Sequence, residues 1–385
     1  MTKSLAILLA ARMVLAAVAC APAASQPAAE APAATEAPAA EAPAAEATEA
    51  PAAEATKTDV RLASHNAVIE GNPYRIRYEA DIQEACADAA NYGLNVSYAS
   101  FVSNWDAATE SQQIENSINE GYDIILVNPV SSTGLDPIIE KAQDAGIVYI
   151  NADCEYTSTD VNVLNVCTDQ YYLGYKTATY AGEVLGKGAK VIMIAALDGN
   201  SANTQRQNGF EKGIEEQGLE VVGGKYNHDW DAVKAQQIMT EILNSGLEFD
   251  GILISQCAEA ALAAYDAAGA AYPKFIGFND TGEFMQRMLK LNADEKKMDF
   301  LVLSNPPGVG ASALNFGLNM IMGKELKDDV YTVPEIHSIW LKSKVNFTYD
   351  DINNEEFKNM AASMEPGDAI TYWLTIDEVA QEYFK

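Results

Sequence analysis

The sequence predicts an α/β protein built from two doubly wound, parallel-sheet lobes, and three observations carry that expectation. Apolar runs of strand length alternate with amphipathic stretches of helix length, almost without interruption, from residue 60 to residue 322. The runs are too numerous for one sheet of ordinary width. The stretch from 57 to 385, which is 329 of the 385 residues, is long enough to bury two separate cores.

Strand candidates lie at 60–63, 95–99, 123–128, 147–151, 162–166, 190–195, 220–222, 251–254, 274–277 and 300–304. Helical periodicity occupies 76–92, 107–120, 171–185, 204–217, 231–244, 258–268 and 310–322. Asp106, Asp231 and Thr281 stand where a helix start needs a side-chain acceptor for its free N–H groups. Gly93, Gly121, Gly146, Gly218 and Gly246 follow helical stretches, where a left-handed residue ends a helix at least cost. Strands separated by helices must run parallel, and a parallel sheet is covered on both faces.

Ahead of this body stand two segments of another kind. Lys3, the apolar runs 5–11 and 13–19 and the small residues before Cys20 read as a secretory signal peptide over 1–20, with Arg12 interrupting the apolar stretch. Val18-Ala19-Cys20 resembles a lipobox, in which Cys20 is acylated and anchors the protein to the membrane, although Ala17 departs from that motif's usual Leu or Val. Residues 21–56 are almost wholly Ala, Pro, Glu and Thr, without one branched aliphatic or aromatic side chain beyond the threonines, and read as a disordered linker.

The chain carries a net charge of −30. Residues 1–56 hold six Glu, Lys3 and Arg12, which leaves 49 acids and 23 bases, or −26, on the body. Such a body repels nucleic acid and anionic membrane. Cys86, Cys154, Cys167 and Cys257 form no C-x-x-C pair and only three histidines exist, so neither a metal nor another cofactor is expected. Cys154 and Cys167 are either a disulfide closing a short loop or two separate buried thiols.

In doubly wound sheets, ligands bind beyond the carboxyl ends of the strands. The segments just after the strand candidates are Ser64-His65-Asn66, then Asn72-Pro73-Tyr74-Arg75, Asn128-Pro129, Asp153-Cys154, 197–206, 226–230, Gln256-Cys257, Asn279-Asp280 and Ser304-Asn305. Amides, carboxylates, an arginine or two and aromatics can hydrogen-bond hydroxyls and cover the apolar side of a ring. They contain no arranged nucleophile and base, and the motifs G-x-S-x-G, H-E-x-x-H, G-x-x-x-x-G-K-[ST] and G-x-G-x-x-G are absent. An enzyme is not expected.

These residues carry a resemblance. Asn72-Pro73-Tyr74-Arg75, Leu126-Val127-Asn128-Pro129, the stretch 146–153, Thr168-Asp169, Arg206-Gln207-Asn208-Gly209-Phe210 and Gly277-Phe278-Asn279 follow one another in the order of a type I periplasmic binding protein of the ribose- and galactofuranose-binding kind. The resemblance implies an N-terminal lobe of 57–167 with 305–335 and a C-terminal lobe of 168–304 with 336–385. It also implies a three-stranded hinge, crossed near Thr168, Asn305 and Ile336.

By the same resemblance Tyr74 and Trp230 stack on a ring, while Asn128, Asp153, Arg206 and Asn279 bind hydroxyls. Arg75 is similar to an arginine of galactofuranose-type relatives, and Ser64 and Asn66 belong to the first strand end. Cys154 stands where sugar binders have Arg, Cys257 where Asn is usual, Ala258 where Asp is usual, and Ser304 or Asn305 in place of a Gln. These departures point to a ligand smaller or less hydroxylated than a hexose.

Each position has a plain rival. Asp153 caps a loop, Arg206 pairs with Glu211 or Asp198, Tyr74 and Trp230 are core aromatics, Asn128 precedes a turn proline and Arg75 faces solvent. His65 is expected to be structural or at the rim, and Trp105 to pack on the second helix. The function implied is a monomeric, extracytoplasmic solute-binding component of an ABC transporter, which delivers a sugar or polyol to a membrane permease. An alternative is a sensor that presents a sugar, polyol or autoinducer-like ligand to a membrane receptor.

Overall fold

Two sheets of the same winding organise the protein, whose computed structural model describes residues 57–385. The expected signal peptide, the linker and the acylated Cys20 lie outside the described residues. The first lobe is made of β1 (Asp59–Asn66), α1 (Pro73–Asp88), β2 (Asn95–Val102), α2 (Ala107–Asn119), β3 (Ile124–Val127), α3 (Asp136–Asp144), β4 (Val148–Ala152) and β5 (Leu164–Thr168). The second begins with α4 (Gln170–Leu185), β6 (Lys190–Ala195), α5 (Ser201–Gln217), β7 (Glu220–Val221), β8 (Tyr226–Asn227) and α6 (Ala232–Ser245). It continues with β9 (Gly251–Ile254), α7 (Ala258–Ala268), β10 (Phe275–Gly277), α8 (Gly282–Leu291) and β11 (Asp299–Leu303).

After β11 the chain returns to the first lobe with α9 (Val309–Ile321) and β12 (Ser338–Leu341). It re-enters the second with β13 (Asn346–Thr348) and α10 (Glu355–Ser363), and ends with α11 (Ile376–Tyr383). The first sheet runs β12-β5-β4-β3-β1-β2, all parallel. The second runs β13-β11-β10-β9-β6-β7, with β8 also on β6 and only β13 antiparallel. In both lobes the first strand sits between the second and third, so each has its switch point beside its first strand. Four buried apolar clusters line the sheet faces.

The local signals explain the elements. β3, Ile-Ile-Leu-Val, is buried at every position, as a strand covered by helices on both faces must be. Asp106, Asp231 and Thr281 accept backbone N–H groups at the starts of α2, α6 and α8, and Gly218 and Gly246 end α5 and α6 in the left-handed region. The helix expected over 76–92 starts at Pro73, because Asn72 caps it, and its last turn tightens into a 3₁₀ helix. Helices α3 and α8 carry one sequence signal each, Gly146 behind the first and Thr281 ahead of the second, because α3 spans only two and a half turns and α8 fewer than three.

The tail corrects the expected boundaries. β12 pairs with β5 in the first sheet, so the third crossing falls after Leu341 rather than near Ile336. A fourth crossing follows. Phe357, Ala361 and Ile370 are in the core of the second lobe, whereas Leu374, Ile376, Val379 and Phe384 are in the core of the first. Residues 336–385 are therefore shared between the lobes, and the hinge has four strands instead of three. The apolar face of α11 needs the groove beside α9, and this outweighs sequence proximity to α10.

Candidate functional site

The cleft between the lobes has a volume of about 630 Å³ and is lined from both sides by strand-end segments. Tyr74, Arg75, Asn128, Asp153 and Cys154 reach it from the first lobe, and Arg206, Trp230, Cys257 and Asn279 from the second. The geometry therefore collects nine of the expected positions on one cavity.

Asp153 is the centre of the first-lobe wall. A γ-turn follows β4, in which the Cys154 N–H donates to the Ala152 carbonyl at 2.9 Å and Asp153 takes φ 72°. A non-glycine residue in that region costs on the order of 1 kcal/mol, and such strain collects where a side chain must be aimed. The carboxylate accepts from Tyr74 Oη at 2.9 Å, Arg75 Nη2 at 2.6 Å and Asn128 Nδ2 at 3.1 Å. Burial works against the charge of Arg75, but the Asp153 carboxylate beside it holds its pKa above the ordinary value. Trp105, Trp230, Gln256 and Cys257 are likewise left-handed non-glycine residues, and all four line the cleft.

Arg206 is the centre of the opposite wall. It is 1% exposed, its Nε donates to Gln170 Oε1 at 2.7 Å, and its Nη1 finds no partner. Its guanidinium carbon lies 5.1 Å from the ring centres of both Trp230 and Phe278. Burial lowers its pKa, against the pull of Asp153 and Asp280. Close helix packing puts Arg206 there: a Cβ on Gly174 of α4 would stand 2.0 Å from the Arg206 carbonyl oxygen, so only glycine lets α5 approach. Neither Glu211 nor Asp198 reaches Arg206, and Asp198 pairs with Lys225.

Burial pushes the carboxyls of Glu259, which lines the cleft, and Asp280, just behind Asn279, up to about 7. Burial also raises the Cys154 thiol, and takes Cys257 to about 12, so both stay protonated. All four described cysteines are free, including Cys154 and Cys167. Among the described residues no cluster could hold a metal ion. The walls offer hydrogen bonds and ring faces and no activated nucleophile.

Three expected residues lie elsewhere. Ser64 and Asn66, on the same side of β1, both donate to the buried Glu79 carboxylate of α1, which Tyr98 also reaches. Ser304 belongs to the hinge: its Oγ is 2.9 Å from Ser343 Oγ and 2.8 Å from Tyr372 Oη. Its neighbour Asn305 lines the cleft instead and accepts from Gln170 Nε2 at 2.9 Å. His65 is buried, stacked on Phe101 and beside Ser117, a structural position.

Asn200, Gln256 and Asn305, which belong to the strand-end segments singled out from the sequence, also line the cleft, while Gln170, just after β5 at the start of α4, escaped although it carries the same signal. Trp105, expected to pack on the second helix, is half exposed and faces the cleft. Pro366, Gly367 and Ala369 come from the tail, where no strand-end pattern pointed.

Residues 68–325 match the periplasmic binding protein domain family. The chain is 26% identical over 227 residues to the ribose import binding protein of Bacillus subtilis strain 168, covering 58% of this chain and 72% of that one. It is 24% identical over 250 residues to the D-allose-binding periplasmic protein of Escherichia coli K12, covering 63% and 79%.

A solute-binding protein of Actinobacillus succinogenes 130z with bound D-allose superposes with a TM-score of 0.64 at 21% identity, covering 77% of this chain and 99% of that one. One from Bacillus halodurans C-125 with bound myo-inositol gives 0.65 at 20% identity, covering 80% and 100%. These superpositions establish the two-lobed fold. The chain belongs to the periplasmic binding protein domain family, whose members are extracytoplasmic proteins that bind a solute rather than transform it.

Proposed function

We propose that this protein is the solute-binding component of an ABC transporter, and that its cleft closes on a sugar or similarly small polyhydroxylated ligand. One observation carries the reading: Asp153 and Arg206 face one cavity from opposite lobes, with Tyr74 and Trp230 beside them. A ring with several hydroxyls meets a carboxylate, a guanidinium, the amides of Asn128, Gln170, Asn279 and Asn305, and aromatic faces. The relatives' names and bound ligands agree with that class of ligand.

Such a ligand touches both walls only when the lobes are together, so binding and closure are one equilibrium. Cys154 and Cys257 replace stronger donors, which favours a ligand with fewer hydroxyls to satisfy. A permease then takes the closed, loaded protein. Acylation at Cys20 with a linker over 21–56 keeps the protein at that membrane.

The test is a thermal-shift and calorimetric screen with D-ribose, D-allose, D-galactose and myo-inositol. A ligand at 100 times its Kd stabilises the native state by about 2.7 kcal/mol. A shift with an amino acid or a nucleoside and none with any sugar or polyol refutes the ligand class. The anchor is tested by the mass of the N-terminal peptide from the membrane fraction, where an unmodified Cys20 refutes it.

A further inference from the structure

The loop after β4 continues past Asp153 to Glu155, which is 4% exposed and has no place in the cleft lining. Its partners come from two elements, one in each lobe. Its backbone N–H donates to Ser201 Oγ, on the first residue of α5 in the second lobe, at 2.9 Å. Its carboxylate accepts from Gln205 Nε2, one turn further along α5 and next to Arg206. The same carboxylate accepts from Trp340 Nε1 on β12, just before the chain crosses to β13. One residue earlier, Cys154 Sγ takes a bond from Asn200 Nδ2 at 3.4 Å, again across the cleft.

The polar side of this loop therefore spans the gap between the lobes at the start of α5. Burial there raises the pKa of the Glu155 carboxyl, and donors from both lobes, Gln205 and Trp340, hold it. The loop carries Asp153 from one lobe and α5 carries Arg206 from the other. Joining them through Glu155 brings both ligand-facing groups to their working separation together.

We propose that Glu155 is a positioning residue: with Ser201 and Gln205 it forms a latch between the lobes that favours the closed state, in the empty protein as in the loaded one, and sets how long a bound solute stays. The inference rests on the sugar-cleft reading for its ligand, and the latch itself is independent of ligand identity. A contact made only after closure slows reopening and leaves encounter with the open cleft untouched.

The experiment compares wild type, Gln205→Ala, Glu155→Gln and the double variant. Gln205 is a half-buried helix position where alanine is a better helix former, so Gln205→Ala folds even if Glu155→Gln does not. In ligand-free protein, small-angle scattering should give Gln205→Ala a larger radius of gyration than wild type. Stopped-flow tryptophan fluorescence is followed with whichever of D-ribose, D-allose, D-galactose and myo-inositol binds wild type. Dissociation should accelerate about 5- to 20-fold for Gln205→Ala with association within about twofold. The double variant should be no faster than the faster single one, because both break one contact.

An unchanged radius of gyration, an unchanged dissociation rate, or single effects that multiply in the double variant each overturn the latch. If none of the four compounds binds wild type, the sugar reading fails and scattering alone decides the latch.

Discussion

Replacing Arg206 with methionine should abolish ligand binding while leaving the empty protein as stable as before or more so. Arg206 is 1% exposed and, among the described residues, forms no ion pair; its one hydrogen bond goes to Gln170. Exchanging buried charge for apolar side chains of similar volume is often neutral or stabilising by about 1–4 kcal/mol. The hydrogen bond to Gln170 returns about 1 kcal/mol of that gain. Gln170 keeps its Nε2 bond to Asn305, but its Oε1 loses its donor, which is the cost just counted.

The ligand loses two charge-assisted hydrogen bonds if both guanidinium Nη groups serve it, each worth about 1.5–3 kcal/mol. The sum, about 3–6 kcal/mol, weakens binding by roughly 10²- to 10⁴-fold. Urea unfolding of the ligand-free protein and calorimetry with the best-binding sugar measure the two effects separately. A loss of more than about 2 kcal/mol in the empty protein would show that Arg206 serves the fold. Affinity within about threefold of wild type would remove it from the site.

Other perturbations test other parts of the structure. Burial takes the Glu110 carboxyl from an ordinary 4.5 to about 7, while it accepts the Val130 N–H at 3.0 Å. The folded state then binds more protons than the unfolded one between those values, so this contribution is whole below about pH 4.5 and is lost as pH rises through 7. Glu110→Gln should gain on wild type in urea unfolding from pH 5 to pH 8, by up to about 3 kcal/mol, and a flat difference refutes the assignment. His65 and His228, held at about 3 and about 4 by burial, act oppositely, losing stability as pH falls below 6.5; His65→Phe should flatten that acid limb. Gly308→Ala places a Cβ 2.2 Å from the Tyr372 carbonyl oxygen and should cost about 1–3 kcal/mol, whereas Gly367→Ala meets nothing within 4 Å and should be neutral. Ser304→Ala and Tyr372→Phe should each cost about 1 kcal/mol, less than additively in the double variant, because both lose the same hinge bond.

Alternation of strand and helix made both sheets legible, because a strand covered on two faces writes its burial into a continuous apolar run such as β3. The rule that ligands sit past strand ends led to Asp153, Arg206 and Trp230 on one cavity. It overreached at Ser64 and Asn66, since two residues apart on a strand share one face and theirs turns toward Glu79. Ser304 and Asn305 are neighbours, and which of them faced the cleft depended on Tyr372, a residue 68 positions away. The tail was illegible for the same reason. β12, β13, α10 and α11 are short, and only the grooves left by other elements decide which lobe each one joins.

That division of the tail has a consequence for the order in which the protein can be made. The core of the first lobe includes Ile376, Val379 and Phe384 alongside Val60 and Leu62, so its first and last strata are more than 300 residues apart. The second lobe has most of its sheet, β6 to β11, within one unbroken stretch. During synthesis the middle of the chain can therefore fold while the first lobe waits, still open, for α11 to leave the ribosome. A lobe that cannot close before α11 has been made stays threadable until then.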